Sequence, residues 1–585
     1  MLNKSLLSYI NFFLLLIAVF IRTHNSYYFS TGWWDKLIQH THTMAVVKGY
    51  GLGLMLANPD DISKVVFQAD GRFAPAYPLF SSVFQHFTEN MHYTDVLLDL
   101  LAFCLFFFSW RSILRKLEVA THPLLLSATL LVWAFSTSPF KFIYLTDFHS
   151  LAIYSWAISL LMTQIIDFEI LNNKSKIYGA MGLGVVCFLC SLFRFSYYAQ
   201  TFVLPSIYVA LGVWFDRKFL KYGLMSFAST VFCILLLLAY QHSISLLNFN
   251  EARYAVQLQR GFRLYFENLF CFANIVWHSF FPDLFWNIQM YLENRIRFPD
   301  GWWLRETTFS IYFTVLFITL VGLSSYYVIR KELKNCQNKV FQNPLLLFYF
   351  IGFATIAVNF LFMMALSVYY PSEIEIPDSR FWNDPGVSHW TFVEEIRYFN
   401  PSILFFQLFL MIIVFYRKKA YHFLARILAG SIFLVWLGYM WVIWYYPFLW
   451  NVYSISDYRE NINAVKILLY EDLSKRYANY SIVATSESRQ LLNLCGAAGL
   501  SVMPPNVFLS EMQKGKLKTS VPCKLIIVEN TTNEGKRIYK ADSPEMKNSV
   551  EKLKLMYAYQ KITTYYERKS MGKTDIDLYV FEIVP

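Results

Sequence analysis

Apolar runs about as long as a bilayer is thick recur along this chain, and a polytopic membrane protein is the class that accommodates them. A spanning helix satisfies its backbone internally and needs about 20 apolar residues. About eleven spans are expected by that criterion, near 5–21, 95–110, 123–138, 148–165, 178–195, 199–215, 222–240, 307–328, 344–366, 401–416 and 427–446. Composition agrees, since 56% of the residues are hydrophobic, 16% are charged and the mean hydropathy is +0.37, well to the apolar side of soluble proteins. The same figures exclude intrinsic disorder, and 22 Gly and 8 Cys exclude collagen-like and disulfide-scaffold chains. Lys4 precedes the first apolar run, yet Arg22-Thr23-His24-Asn25 offers no small-residue cleavage site. That run is therefore expected to be a retained first span.

The 51 Lys+Arg exceed the 40 Asp+Glu, giving a net charge of +11. The excess falls in short clusters between apolar runs: Arg111, Arg115 and Lys116; Lys174 and Lys176; Arg217, Lys218 and Lys221; Arg330, Lys331 and Lys334; Arg417, Lys418, Lys419 and Arg426. These occupy alternate connections, which the positive-inside rule makes cytoplasmic. The charge thus encodes topology, and no nucleic acid is expected as a partner. The N-terminus is then cytoplasmic, and everything long falls outside. The expected fold is mainly α: a multi-pass helical part over 1–450, with external loops 22–94, 241–306 and 367–400, and a small extracytoplasmic α/β domain over 451–585. In that tail the pattern predicts a helix from Asp457 to about Tyr477, a strand at 481–485, a helix at 488–497 and strands at 500–503 and 524–528. Cys187 and Cys190 form a C-x-x-C inside a span, where packing is the expected role. Cys495 and Cys523 of the tail are a candidate disulfide.

Polar residues gather in three places. The first external loop carries Asp35, His40, His42, Lys48, Asp60, Asp61, Asp70 and Arg72 among several aromatic residues. Helical spacing puts Asp35, Gln39 and His42 on one side of a segment that Gly49 and Gly51 end, with Leu37, Met44 and Val47 available to lie on lipid. An interfacial helix without chemistry explains that pattern as well. Asp147 and His149 open the fourth span, where Asp147 serves either as a helix cap or as a functional carboxylate. Arg397 and Tyr398 enter the tenth span just ahead of Pro401; Arg397 either snorkels to the interface or grips a phosphate.

These clusters, in this order and on one side of the membrane, resemble the GT-C class of integral membrane glycosyltransferases. The likeness is greatest to the bacterial branch of protein O-mannosyltransferases and the lipid A aminoarabinose transferase, and it covers 1–450 in overall plan. The resemblance implies that Asp35, in the first external loop, is the catalytic base, and that Asp147 is the second acidic residue. Asp70-Gly71-Arg72-Phe73-Ala74-Pro75 is similar to a basic-then-proline motif of the branch, with Arg where Lys is usual and with Pro75 and Pro78 spaced differently. Arg397, Tyr398 and Pro401 match a pattern near the last spans. The implied chemistry moves a sugar from a polyprenyl-phosphate donor held in the lipid bilayer to an acceptor hydroxyl on a protein, lipid A or a glycan. Asp35 would take the hydroxyl proton, in a single inverting displacement. Arg72 and Arg397 would hold the leaving phosphate, and His42, Lys48, Tyr398 and His149 are the accompanying substrate-binding candidates.

Arg253, Arg260, Arg263, Arg295 and Arg297 of the second long loop would hold the donor or meet anionic lipid. Some members of the class need a divalent cation, but no metal site is marked here: His40 and His42 stand i, i+2, and Asp575-Ile576-Asp577 falls in an expected strand of the tail. A plasma-membrane (inner-membrane) location follows from the same resemblance. Two other readings share the span pattern. A transporter is disfavoured by the missing internal repeat and by acidic residues that sit at one face instead of mid-span. A polymerase or ligase of lipid-linked polysaccharide shares the lipid donor and the arginine-rich loops.

Overall fold

The structure, a computed structural model, describes residues 4–29, 34–70, 74–117, 147–243, 271–281, 302–335, 343–369, 399–416, 423–450, 468–475, 482–486, 488–515, 517–530, 542–569 and 572–585. In chain order the elements are α1 (Lys4–Phe29), α2 (Trp34–Val47), β1 (Gly53–Asn58), β2 (Asp61–Ala69), α3 (Ala76–Thr88), α4 (Met91–Lys116), α5 (Asp147–Ile166), α6 (Asn173–Phe193) and α7 (Tyr198–Trp214). There follow α8 (Leu220–Ser243), α9 (Cys271–His278), α10 (Trp302–Asn335), α11 (Pro344–Tyr369), α12 (Asn400–Phe415) and α13 (Phe423–Trp450). The tail contributes β3 (Ile482–Thr485), α14 (Arg489–Ala497), β4 (Ser501–Val502), α15 (Pro505–Gln513), β5 (Cys523–Asn530), α16 (Pro544–Met556), β6 (Tyr559–Lys569) and β7 (Gly572–Ile583). Two units divide these residues: one within Met1–Arg22, Leu100–Ser243 and Leu247–Tyr445, the other within Thr23–Asp99 and Tyr446–Pro585.

The first unit is helical. Among the described residues, six helices are long and apolar enough to cross a membrane: Met91–Lys116, Asp147–Ile166, Asn173–Phe193, Arg217–Tyr240, Ser310–Leu333 and Pro344–Met363. Tyr198–Trp214, Asn400–Phe415 and Phe423–Tyr439 are shorter apolar helices. The expected first span lies within α1, and the one expected at 123–138 lies outside the described residues. Helix α5 is the most enclosed of the six and packs against α6, which also packs against α8. Several polar side chains inside the bundle are joined in pairs: Tyr154 and Thr355 at 2.7 Å, Ser402 to Asn359 at 2.7 Å, Trp110 Nε1 to Ser155 at 3.0 Å. Such pairing is what a medium without water demands. At one end, Lys116 pairs with Asp167 and Lys218 with Glu169. Three of the basic connections are thereby tied together.

The second unit holds a seven-stranded sheet of order β2-β1-β4-β3-β5-β7-β6. Its centre is parallel, β1 on β4, β4 on β3, β3 on β5, and each side is closed by antiparallel pairing, β1 with β2 and β7 with both β5 and β6. Period-two alternation sends successive residues to opposite faces. Ala484, Ile526, Val528, Leu578 and Val580 join one core with Leu37 of α2 and Leu491 and Leu494 of α14. Val483, Leu525, Ile527, Tyr579 and Phe581 join the other with Phe508 of α15 and Val550 of α16. The strands expected near 481–485, 500–503 and 524–528 are present. Strands β1 and β2, however, come from the first loop, which was expected to belong with the membrane part. Cys495 and Cys523 are both unbonded and lie in the two different cores, so the candidate disulfide is not formed; burial pushes the Cys495 thiol up to about 12.

Candidate functional site

Helix α2 begins one residue before Asp35, whose backbone lies in its first turn; the Asp35 side chain lies outside the described residues. The expected end at Gly49 is present, with φ +82. Lys36 and His40, one helical turn apart, both reach a single carboxylate, Asp95 on the first turns of α4, at 2.8 and 3.1 Å. The Tyr77 hydroxyl of α3 donates to the other oxygen of Asp95, and its ring stands edge-on to His40 with centroids 5.9 Å apart. Asp95, Tyr77 and His40 are each at most 1% exposed. A carboxylate removed from water needs its lone pairs filled, and these three donors fill them. Asp95 so engaged is an orienting group: it fixes Nε2 of His40 and leaves Nδ1 facing elsewhere.

On the neighbouring side of α2, His42 Nε2 meets Asp70 at 3.3 Å. Gln39 shares that side with Asp35, and its buried side-chain oxygen has no hydrogen-bond partner among the described residues. An imidazole held by a carboxylate, beside an amide oxygen awaiting a donor, can take and pass a proton of a hydroxyl. The first turns of α4 are fixed by the tail: Tyr470 OH accepts from the Met91 N–H at 3.2 Å. Lys48, at the far end of α2, donates to the Gly499 carbonyl, and loss of water there lowers its pKa. Lys48 is therefore placed as a tie to the turn after α14. Arg72 lies outside the described residues.

The helical unit holds a second polar group. Asp147 is fully buried in the first turn of α5, and Arg194, the residue ending α6, reaches it at 3.1 Å through Nε. His149 stacks on Phe193 with centroids 5.7 Å apart, and the Arg22 guanidinium lies 4.1 Å above the Phe148 ring. The Gln200 amide, buried in α7, has neither end hydrogen-bonded among the described residues, and the same holds for Asn400 at the start of α12. The α5 helix, 20 residues and so about 30 Å long, separates Asp147 from the basic connections. Arg397 and Tyr398, and the arginines at 253, 260, 263, 295 and 297, lie outside the described residues.

Within the sheet-bearing unit the structure brings His42 onto Asp70. It also reveals Lys36, Tyr77 and Asp95, and in the helical unit Arg194, none of which the sequence marked. The available signal was a pair of acids, Asp95 and Asp99, at the start of an apolar run, and a lone arginine in the short link between two spans at Arg194. Asp577 of the D-x-D lies in β7 and pairs with Lys561 at 2.7 Å. Among the described residues no three His, Cys, Asp or Glu side chains converge as metal ligands. Comparison with protein-family models, with curated proteins and with solved structures finds no match for this chain.

Proposed function

We propose that this chain is a multi-pass membrane glycosyltransferase of the GT-C type, moving a sugar from a polyprenyl-phosphate donor to an acceptor hydroxyl at the extracytoplasmic face. The observation that carries the reading is the buried acid–base cluster directly after the first apolar helix: Lys36 and His40 on Asp95, with His42 on Asp70 beside them. Replacing such groups by apolar ones would usually leave a fold as stable or more so. Charged and hydrogen-bonded groups kept in a buried place at a desolvation cost are what makes this cluster a candidate site.

In this reading Asp35 is the general base, and the His42–Asp70 pair and Gln39 line the same side of α2 to orient the acceptor hydroxyl. Arg72, two residues past Asp70, meets the phosphate on which charge builds as the sugar leaves. Asp147, Arg397, Tyr398 and His149 keep the roles that the resemblance implies. The topology has about eleven spans with a cytoplasmic N-terminus in the plasma membrane. The gathering of Lys116, Lys218 and their partners at one end of the bundle supports that orientation.

The test is sugar transfer in membranes supplied with extracted polyprenyl-phosphate sugars, comparing wild type with Asp35→Asn. Loss of transfer by about two orders of magnitude or more, with the protein still folded and inserted, is expected of a removed base. Undiminished transfer by the variant would move the base elsewhere, and no transfer by wild type from any lipid-linked donor would refute the enzyme.

A further inference from the structure

Helix α3 carries its residues the wrong way round for a soluble helix. Tyr77, Ser81, Ser82 and Gln85 are buried, whereas Leu79, Phe80, Val83 and Phe87 are exposed, Phe87 at 82%. The exposed four stand at i, i+1, i+4 and i+8, one face of a helix, and α3 contains no lysine or arginine. Its inward orientation is fixed by hydrogen bonds. Tyr77 donates to Asp95, and Gln85 accepts from Thr94 at 2.9 Å. Rolling the helix over to hide its apolar face would strand both groups and expose a face of serines.

What the outer face meets is set by what adjoins it. The chain turns at Glu89, in the left-handed region with φ 51, and α4 starts at Met91 as the first of the six helices able to cross a membrane. The exposed stripe of α4 begins at once, with Tyr93 and Leu97, and runs on through Leu101 and Phe108. Only two residues separate the apolar face of α3 from the exposed apolar residues of a helix long and apolar enough to span a membrane. We propose that α3 lies in the membrane surface, with Leu79, Phe80, Val83 and Phe87 in the acyl region and its polar face turned to Asp95. Its partner is the lipid bilayer. A helix with one apolar face, short of spanning length, takes that position, and a contiguous exposed patch of this kind is not left to water. Lipid then forms the outer wall of the element that delivers Tyr77, and α2, expected from the sequence to be the interfacial helix, is enclosed instead, with Leu37 in the sheet core.

The test places a benzophenone-bearing amino acid at Phe80 or Phe87 of the full chain, in vesicles of phosphatidylethanolamine and phosphatidylglycerol, with Phe108 of α4 as a lipid-facing reference and Phe106, fully buried, as the enclosed one. Irradiation followed by mass spectrometry of the α3 peptide is expected to give acyl-chain adducts at 80 and 87 as at 108, and none at 106. Cross-links from 80 or 87 to a second polypeptide, whether another copy or a different protein, would overturn the proposal. So would an α3 peptide free of lipid adducts while position 108 is labelled. Benzophenone in place of phenylalanine on an outward face leaves the fold intact, and the readout does not depend on any catalytic activity.

Discussion

Asp61 shows how one carboxylate can hold a long-range junction. It starts β2 and accepts from the Ser520 N–H at 3.0 Å and from the Ser63 hydroxyl at 2.6 Å, while Ile62 N–H donates to Lys518 O at 2.9 Å. The Ser520 side chain first and then the Ser63 hydroxyl, with smaller help from Lys64 and the Ser520 N–H, hold its carboxyl well below the usual carboxylate range. A depressed pKa means the folded state favours the charged form. The stabilisation is then fully present above the unfolded value of about 4 and is lost as pH falls through the folded value. Asp61→Asn is expected to lower the melting temperature at pH 7 and to leave it close to wild type under strongly acid conditions, as thermal scans across pH would read. An unchanged difference at both ends would mean that the junction does not rest on the charge. Asp61 was visible in the sequence only as one acid among several in a polar loop. Its partner Ser520 is 459 positions away, and no local pattern carries such a pairing. Asp95 and Arg194 carry no local signal for the related reason that their partners, Lys36, His40 and Tyr77 for the one and Asp147 for the other, come from other elements.

At the scale of the element, α2 was legible in its spacing and its glycine stop but not in its surroundings. The i, i+3, i+4 pattern says that one face is apolar; it does not say whether that face meets lipid or a sheet. The sheet prevails because α14 comes unusually close. A Cβ at Gly496 would stand 2.7 Å from Thr41 Cγ2, and one at Gly499, where φ is +87, would stand 2.9 Å from Met44 Cε. Thr41 Oγ1 meanwhile donates to Leu37 O at 2.9 Å and lies 3.2 Å from Asn493 O. Gly496→Ala is therefore expected to destabilise the protein by about 1–3 kcal/mol, the usual size of an overpacking effect. Thr41→Ala removes the obstructing atoms, so the double variant should recover most of that loss, a coupling that only neighbours show. Thermal unfolding of the two singles and the double checks it, and additive losses would mean the two helices do not meet at this point. Because α2 carries Lys36, His40 and His42, the same displacement should also reduce any activity of the cluster.

At the scale of the whole molecule, the first loop and the tail share one sheet. Strand β4 has two partners, β3 from the tail and β1 from the first loop, with Leu56 opposite Val502. The core on one face of the sheet is closed by Leu37 and Met91, again from the first hundred residues. The tail's own strands, with β-branched and aromatic alternation and short helices between them, announced an α/β fold from sequence. The hairpin of β1 and β2 carried a local signal too, two alternating runs around Asn58-Pro59-Asp60-Asp61, but its ionisable residues drew the reading toward chemistry. What no sequence window contains is the pairing of β1 with β4, Leu56 opposite Val502, a contact of very high sequence separation. Residues 451–585 expressed alone would leave the β4 edge unpaired and Leu491, Leu494 and Cys495 without the cover of α2. Such an edge beside an apolar face is an aggregation site. The isolated tail is expected to be insoluble or to bind hydrophobic dyes with loss of near-ultraviolet circular dichroism, and adding back residues 34–70 through a flexible linker should restore a cooperative unfolding transition. A tail that is soluble and cooperative on its own would show that β1, β2 and α2 dock onto a finished domain; failure without them makes the loop part of the fold, so that the element bearing Asp35 is set in place by α14 and β4.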